Sequence, residues 1–561
     1  MHTNIENIDV VVKLLKQHNI RQIVISPGGT NIPFINAVQD DEFFTCYSIV
    51  DERSAMYFAI GLYLQSGEPI VTSCTSAQAT RNYIPGLTEA YYKHAPILAI
   101  TMSKHQRFTY QQYMQAPDQI SLPNDAVKSS YMLPYLVDEN DYLHSMRTVN
   151  EAILELTRHT TGPVQLDIPW LDFPLDDEVS ELHIIKRYNA NHLKSINIKD
   201  KKILLVIGEH RPFEDNLKAC IEKFCQCYDV AVYVNHLSNY KGKYIVEGNL
   251  QLLTMGKDTF NDNLKPDIMI TIGGQTGDYP FYTMLSQPSI KGIEHWLVSC
   301  DGKVVDTYDK LTVIYECSEY EFFSMLGSSE NVTHSYFEDW KNQISKNKLD
   351  IELPFSSAYV AQQIHNKIPA NSFMQFSILN SLRIWNMFDI DPSITCYSNV
   401  GAFGIDGGMS TFFGLSMGTE ELCFIVIGDL AFFYDMNSLG IRHIKNNVRI
   451  LLINNNGGVE FKLYNCDNNA QNRYIAAGNH FKNAKGWAET CDFSYMAAKN
   501  KSEFSESYNA FLKSSDKPMV FEIFVSDKDD AEAYRMIVSE NAPQSFERSI
   551  KSKIKGIIGR K

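Results

Sequence analysis

Short apolar runs rich in β-branched residues alternate with longer stretches in which apolar positions recur at helical spacing, and the alternation persists across most of the chain. That pattern predicts parallel α/β layers. It falls into three blocks. In the first, RQIVISPGG, FTCYSIV, PIVTSCTS and PILAITM read as strands, the stretches around 5–18, 52–66 and 78–93 read as helices, and GPVQLDIPW closes the block. The polar stretch 178–200 has weak periodicity and reads as a linker. In the second block KKILLVIGE, VAVYVN, DIMITIGG and HWLVSC read as strands, and the block fades into a polar segment that predicts another linker near 330–355. The third contains FMQFSI, ITCYSN, LCFIVIGD, RILLINNN and PMVFEIFV. The expected fold class is therefore α/β, with three doubly wound, Rossmann-like parallel-sheet domains over 1–178, 195–335 and 355–561. No short-period repeat, low-complexity tract or bilayer-length apolar run interrupts them. Distant structural repetition among the blocks is not visible in such a pattern.

A chain of 561 residues is long enough for about three or four domains. With 44% hydrophobic and 21% charged residues it can bury a substantial core. The net charge of −15 repels a phosphate backbone, which argues against a nucleic-acid partner. Only the end, SFERSIKSKIKGIIGRK, is basic, and it forms either a solvated tail or a transient contact with an anionic surface. The first twenty residues lack the pattern of a signal peptide, and a cytoplasmic location is expected. Eleven cysteines form no disulfide framework. The group Cys220, Cys225 and Cys227 lacks zinc spacing and reads as thiols on a helix.

The strongest chemical signal is LCFIVIGDLAFFYDMNSLGIRHIKNNVRILLINNNGG over 422–458, which reads strand, turn, helix, strand, turn. Gly428 permits a tight turn, and Asp429 emerges at the carboxyl end of a buried strand. The next parallel strand ends at Asn454, Asn455, Asn456 and Gly457, so an amide oxygen and a backbone carbonyl emerge at the same sheet edge. One carboxylate, one amide, one carbonyl and two diphosphate oxygens suit octahedral Mg²⁺. Either half of the motif alone reads as loop; together, flanking one helix, they predict a metal-bridged diphosphate. No Gly-Lys-Ser/Thr loop offers a nucleotide P-loop instead.

Gly428-Asp429-Leu430-Ala431 and Asn455-Asn456 resemble the diphosphate motif of thiamine-diphosphate (ThDP) enzymes, which begins Gly-Asp-Gly and ends Asn-Asn. The leucine agrees with a narrower branch, the succinyl-enolpyruvyl-hydroxycyclohexene-carboxylate (SEPHCHC) synthases of menaquinone biosynthesis. The resemblance extends through SPGGTNIPF, VDERSAMYFAIGL, SCTSAQATRNYIPGLTEA, SNVGAFGIDGGMST and FEIFVSDKDDAEA. It implies a pyrimidine-binding domain, a central domain and a diphosphate-binding domain with a basic tail. It implies ThDP and Mg²⁺ as cofactors, with Asp429, Asn455 and the Gly457 carbonyl as metal ligands. Glu52 is the implied catalytic residue: its carboxyl group shares a proton with the cofactor's aminopyrimidine ring. On pattern alone, Asp51-Glu52-Arg53 also fits a plain helix start. Ile405 matches the bulky residue that props the cofactor into its bent form. The resemblance further implies a homodimer or homotetramer, with each site shared between two subunits.

The substrate side departs from the branch. Its Ser-Pro-Gly-Ser-Arg reads Ser26-Pro27-Gly28-Gly29-Thr30, its Ser-Asn-Arg-Gly reads Ser398-Asn399-Val400-Gly401, and its Asp-Arg-Pro reads Ser103-Lys104-His105. Each lost bidentate donor removes about 1.5–3 kcal/mol per charged hydrogen bond. Candidate substrate contacts are Thr30, Ser76, Arg81, Gln111 and Gln115; the arginine also suits a surface salt bridge, and the glutamines a polar loop. The expected function is decarboxylation of a 2-oxo acid with transfer of the acyl anion to an unidentified acceptor. Aldehyde release, a catalytically silent ThDP-binding regulator, and a flavin enzyme using Ile272-Gly273-Gly274 are the alternatives.

Overall fold

The computed structural model describes residues 4–170, 184–326, 332–462 and 473–542. Among the described residues nineteen strands make three sheets, and every pairing is parallel. The first sheet contains β1 (Gln22–Ile25), β2 (Thr45–Ser48), β3 (Ile70–Cys74), β4 (Ile97–Lys104), β5 (Ser129–Met132) and β6 (Val164–Trp170) in the order β2-β1-β3-β4-β6-β5. The second contains β7 (Lys186–Tyr188), β8 (Lys202–Ile207), β9 (Asp229–Tyr233), β10 (Ile245–Val246), β11 (Ile268–Ile272), β12 (Glu294–Val298) and β13 (Leu311–Tyr315), ordered β10-β9-β8-β11-β12-β13-β7. The third contains β14 (Phe373–Phe376), β15 (Thr395–Ser398), β16 (Cys423–Gly428), β17 (Val448–Asn454), β18 (Ser494–Ala498) and β19 (Met519–Phe524), ordered β15-β14-β16-β17-β19-β18. Numbered from its own first strand, the third sheet repeats the order of the first. Even the sequence TCYS recurs, as β2 and again as β15.

The inner strands are buried on both sides because helices cover both faces of a parallel sheet; β3 is buried throughout. Helix Glu52–Ser66 starts at Asp51, whose side chain accepts from the Ser54 N–H, and stops at Gly67, where φ is +72°. It lies against helix Gln78–Tyr92 at Gly86, where a Cβ would meet the Met56 Cβ at 2.4 Å. That close approach seats Glu52 at the sheet edge.

Two expected linkers prove to be partly built into the central layer. Lys186–Tyr188 pairs with β13 at the sheet edge, a strand too short to show alternation. Helix Ser335–Ile344 buries Tyr336 and Trp340 completely, although its other positions are polar enough to read as linker. The Gly273-Gly274 pair follows β11, and a Cβ on Gly208 would lie 1.9 Å from the Gly274 carbonyl oxygen, so Gly208 lets its loop touch this one. Cys225 and Cys227 are buried on helix Asp215–Cys227, and neither is in a disulfide. The basic tail lies outside the described residues.

Candidate active site

The carboxyl ends of the first and third sheets face one cavity. Segments after β1 (Pro27–Gly29), β2 (Val50, Glu52) and β3 (Thr75, Ser76, Gln78, Ala79, Asn82) form one wall; those after β14 to β17 form the other. Such edges are where open parallel sheets bind ligands, because strand-to-helix turns point their backbone donors and side chains outward there. Glu52, Ile405, Gly428, Asp429, Leu430, Ala431, Asn455 and Gly457 all line it. One chain brings both walls together, whereas the resemblance divides them between two subunits.

Glu52 is 6% exposed, and its Oε2 accepts from the Tyr434 hydroxyl at 2.5 Å. Burial pushes its carboxyl up to about 8; the Tyr434 hydrogen bond opposes that shift, and Asp406 and Asp51 reinforce it. The group therefore holds a proton at neutral pH, in a cavity with room for a partner. Sequence reasoning missed Tyr434. Its only local signal is a polar atom at the end of the apolar run Phe432-Phe433.

Asp429 is 5% exposed; its Oδ1 accepts from the Leu430 N–H and its Oδ2 from the Gly457 N–H, each at 2.8 Å. Burial raises its carboxyl to about 7, against the lowering by those backbone donors and by Lys462. Asn455 donates from Nδ2 to Asp530 at 3.0 Å, while its buried Oδ1 has no partner. A buried carboxylate beside an unsatisfied amide oxygen suits a hard cation. Among the described residues no group of three or more His, Cys, Asp or Glu side chains could hold an ion alone.

Gly457 has φ +133°, and a Cβ there would meet the Ala476 carbonyl oxygen at 2.5 Å. Gly428, by contrast, is extended, with φ −80° and ψ 163°, and a Cβ would meet nothing within 4 Å. The expected tight turn is therefore absent: the helix starts directly from extended backbone, and the missing side chain leaves open space at the cavity wall.

The candidate substrate contacts divide. Ser76 lines the cavity with a buried, unpartnered hydroxyl, and Gln115 lines it from a turn with φ +60°. Thr30 does not face it. Its hydroxyl lies 2.7 Å from that of Thr75 and accepts from the Ser76 N–H at 3.0 Å, tying two loops together. Arg81 donates to the Asp118 carbonyl outside the cavity lining. Gln111 is used up between domains: its Oε1 accepts from the Asp306 N–H, and its carbonyl from the Thr307 hydroxyl, both at 2.8 Å.

Residues 6–122 match the family model described as thiamine pyrophosphate enzyme, N-terminal TPP binding domain. Over 553 residues the chain is 31% identical to the 2-succinyl-5-enolpyruvyl-6-hydroxy-3-cyclohexene-1-carboxylate synthase of Phocaeicola vulgatus, covering 95% of this chain and 98% of that one. The synthase of the same name from Bacteroides thetaiotaomicron is 32% identical with the same coverage, and that of Flavobacterium johnsoniae 28% over 536 residues, 92% of this chain and 95% of that one. The chain belongs to this synthase family. It is a ThDP- and Mg²⁺-dependent enzyme that decarboxylates a 2-oxo acid and transfers the resulting acyl anion to an acceptor, forming a carbon–carbon bond. When bound, ThDP supplies the electron sink that this decarboxylation needs. Among the described residues no helix is long and apolar enough to cross a membrane.

Proposed function

We propose that this synthase works on substrates with fewer anionic groups than the family branch it resembles. In this reading Glu52 would hold and exchange a proton at the aminopyrimidine ring, and Ile405 would prop the cofactor into its bent form. Asp429, Asn455 Oδ1 and the Gly457 carbonyl hold Mg²⁺, while the backbone of Gly428, Leu430 and Ala431 cradles the diphosphate. The domain over 1–178 grips the pyrimidine and that over 355–561 the diphosphate, with 195–335 between them. Ser76 and Gln115 meet the substrate; Thr30, Arg81 and Gln111 do not.

The observation that carries the substrate reading is the absence of any lysine or arginine among the described residues lining the cavity. Arg383 stands nearby but is engaged by Glu460 through a fork of two hydrogen bonds, with side-chain exposures of 12% and 21%. A dicarboxylic donor would bury its second carboxylate without a cation, a penalty of several kcal/mol. A panel of 2-oxo acids scored for CO₂ release tests this. Monocarboxylic donors should give the higher kcat/KM; preference for a dicarboxylic donor would sink the reading.

The protein is further read as a cytoplasmic homodimer at least. Helix Glu52–Ser66 leaves Tyr57, Phe58 and Leu64 exposed, an apolar face that a second copy would cover, and none of the described cysteines is in a disulfide. Sedimentation at micromolar concentration should give a dimer or tetramer; a monomer would refute it.

A further inference from the structure

The helix Asp527–Asn541, which closes the described chain, begins at Ser526 and brings Asp530 beneath the end of β17. Asp530 is 3% exposed. Its Oδ1 accepts from the Ser357 N–H at 2.6 Å and from the Ser357 hydroxyl at 2.5 Å, and its Oδ2 accepts from Asn455 Nδ2 at 3.0 Å. An amide has a donor end and an acceptor end that point in opposite directions. A carboxylate accepts hydrogen bonds, so turning Asn455 over would set two oxygens face to face, and the orientation with Nδ2 on Asp530 is the one that makes a bond. Oδ1 is then left on the cavity side, buried and without a partner.

We infer that Asp530 is a positioning residue of the metal site, holding Asn455 by its amide nitrogen so that its oxygen is presented to the cation. This rests on the reading of Asn455 as a metal ligand. It follows the general behaviour of metal ligands, whose orientation is set by the groups behind them. The Ser357 N–H makes the argument directional. In Asp530→Asn the new amide's oxygen is required by that N–H, so its NH₂ end faces Asn455 and draws Oδ1 away from the cavity.

Mn²⁺, followed by the electron paramagnetic resonance of the free ion, is titrated into the full-length protein with ThDP present. Asp530→Asn should weaken Mn²⁺ binding about 10- to 100-fold. Ser357→Ala, which keeps the contact with Asn455, should bind Mn²⁺ as the parent does while melting at a lower temperature. Loss of affinity in Asn455→Ala but not in Asp530→Asn overturns the inference and leaves the metal site standing. Parent-like affinity in both overturns the metal-site reading, and the inference with it. Should Asp530→Asn fail to fold by circular dichroism, the crystal structure of the Mn²⁺-loaded parent decides. Oδ1 on the metal with Nδ2 on Asp530 supports the inference, and Asn455 away from either one refutes it.

Discussion

Replacing Tyr434 by phenylalanine removes the hydroxyl that donates to Glu52 across the two walls of the cavity. The other groups facing Glu52 remain: Asp51 and Asp406, which push its carboxyl up, and Cys74 and Tyr83, whose own ionisations burial pushes upward. A hydrogen bond to a charged acceptor contributes about 1.5–3 kcal/mol. At about 1.4 kcal/mol per pKa unit, its loss should raise the Glu52 carboxyl by about 1 to 2 units above its present value of about 8. The direction follows because the phenol stabilises the ionised form. The folded value already exceeds the ordinary 4.5, so Glu52 contributes stability that is full below that pH and lost as pH rises through about 8. In Tyr434→Phe the loss continues to higher pH, and the variant's deficit in stability should widen between pH 6 and pH 9. Infrared titration of the protein without cofactor reads the protonated carboxyl directly, with Glu52→Gln identifying the band. An unchanged or lowered midpoint in Tyr434→Phe would refute the reasoning.

Two further outcomes follow from the same geometry. Removing divalent metal with EDTA should abolish calorimetrically measured ThDP binding, because without the ion the Asp429 carboxylate and the diphosphate repel; Asp429→Ala should do the same with metal present, because it removes a ligand of that ion, and undiminished affinity in both cases would disprove the assignment. Gln111→Ala should lower the melting temperature by leaving the Asp306 N–H unpaired, at about 1–3 kcal/mol, with KM unchanged, whereas Gln115→Ala should raise KM; a reversed pattern would return Gln111 to the substrate.

What could be read from the chain followed from how local each signal is. Asp429 and Asn455 stand at the ends of apolar strands flanking one helix, so alternation alone placed them at one edge. Glu52 needed the resemblance, because an acidic residue at a helix start is ordinary. The tie of Thr30 to Thr75 was not legible because the two lie 45 residues apart. Tyr434 escaped because Glu52 lies 382 residues away, and no periodicity reports such a contact. Between Tyr110 and Gln115, positive φ at Tyr110, Gln112 and Gln115 turns successive side chains in unrelated directions, so neither glutamine could be aimed from sequence. The strand Ser494–Ala498 was overlooked because it is an edge strand, mostly half-buried, without the apolar run of its neighbours.

The first and third sheets share one strand order, yet they do not contribute alike. Glu52 follows the second strand of its sheet, and Asp429 follows the third strand of the other; after the equivalent strands the cavity is lined by Phe403–Asp406 and by the Thr75-Ser76 turn. A duplicated scaffold would by itself accept a ligand in either direction. Here the Asp429 carboxylate follows the third strand of one sheet and the uncharged Thr75-Ser76 turn follows that of the other, so the two walls differ where their strand orders agree. A chimaera carrying two copies of either half would offer the same grip to both ends and lose its sense of direction.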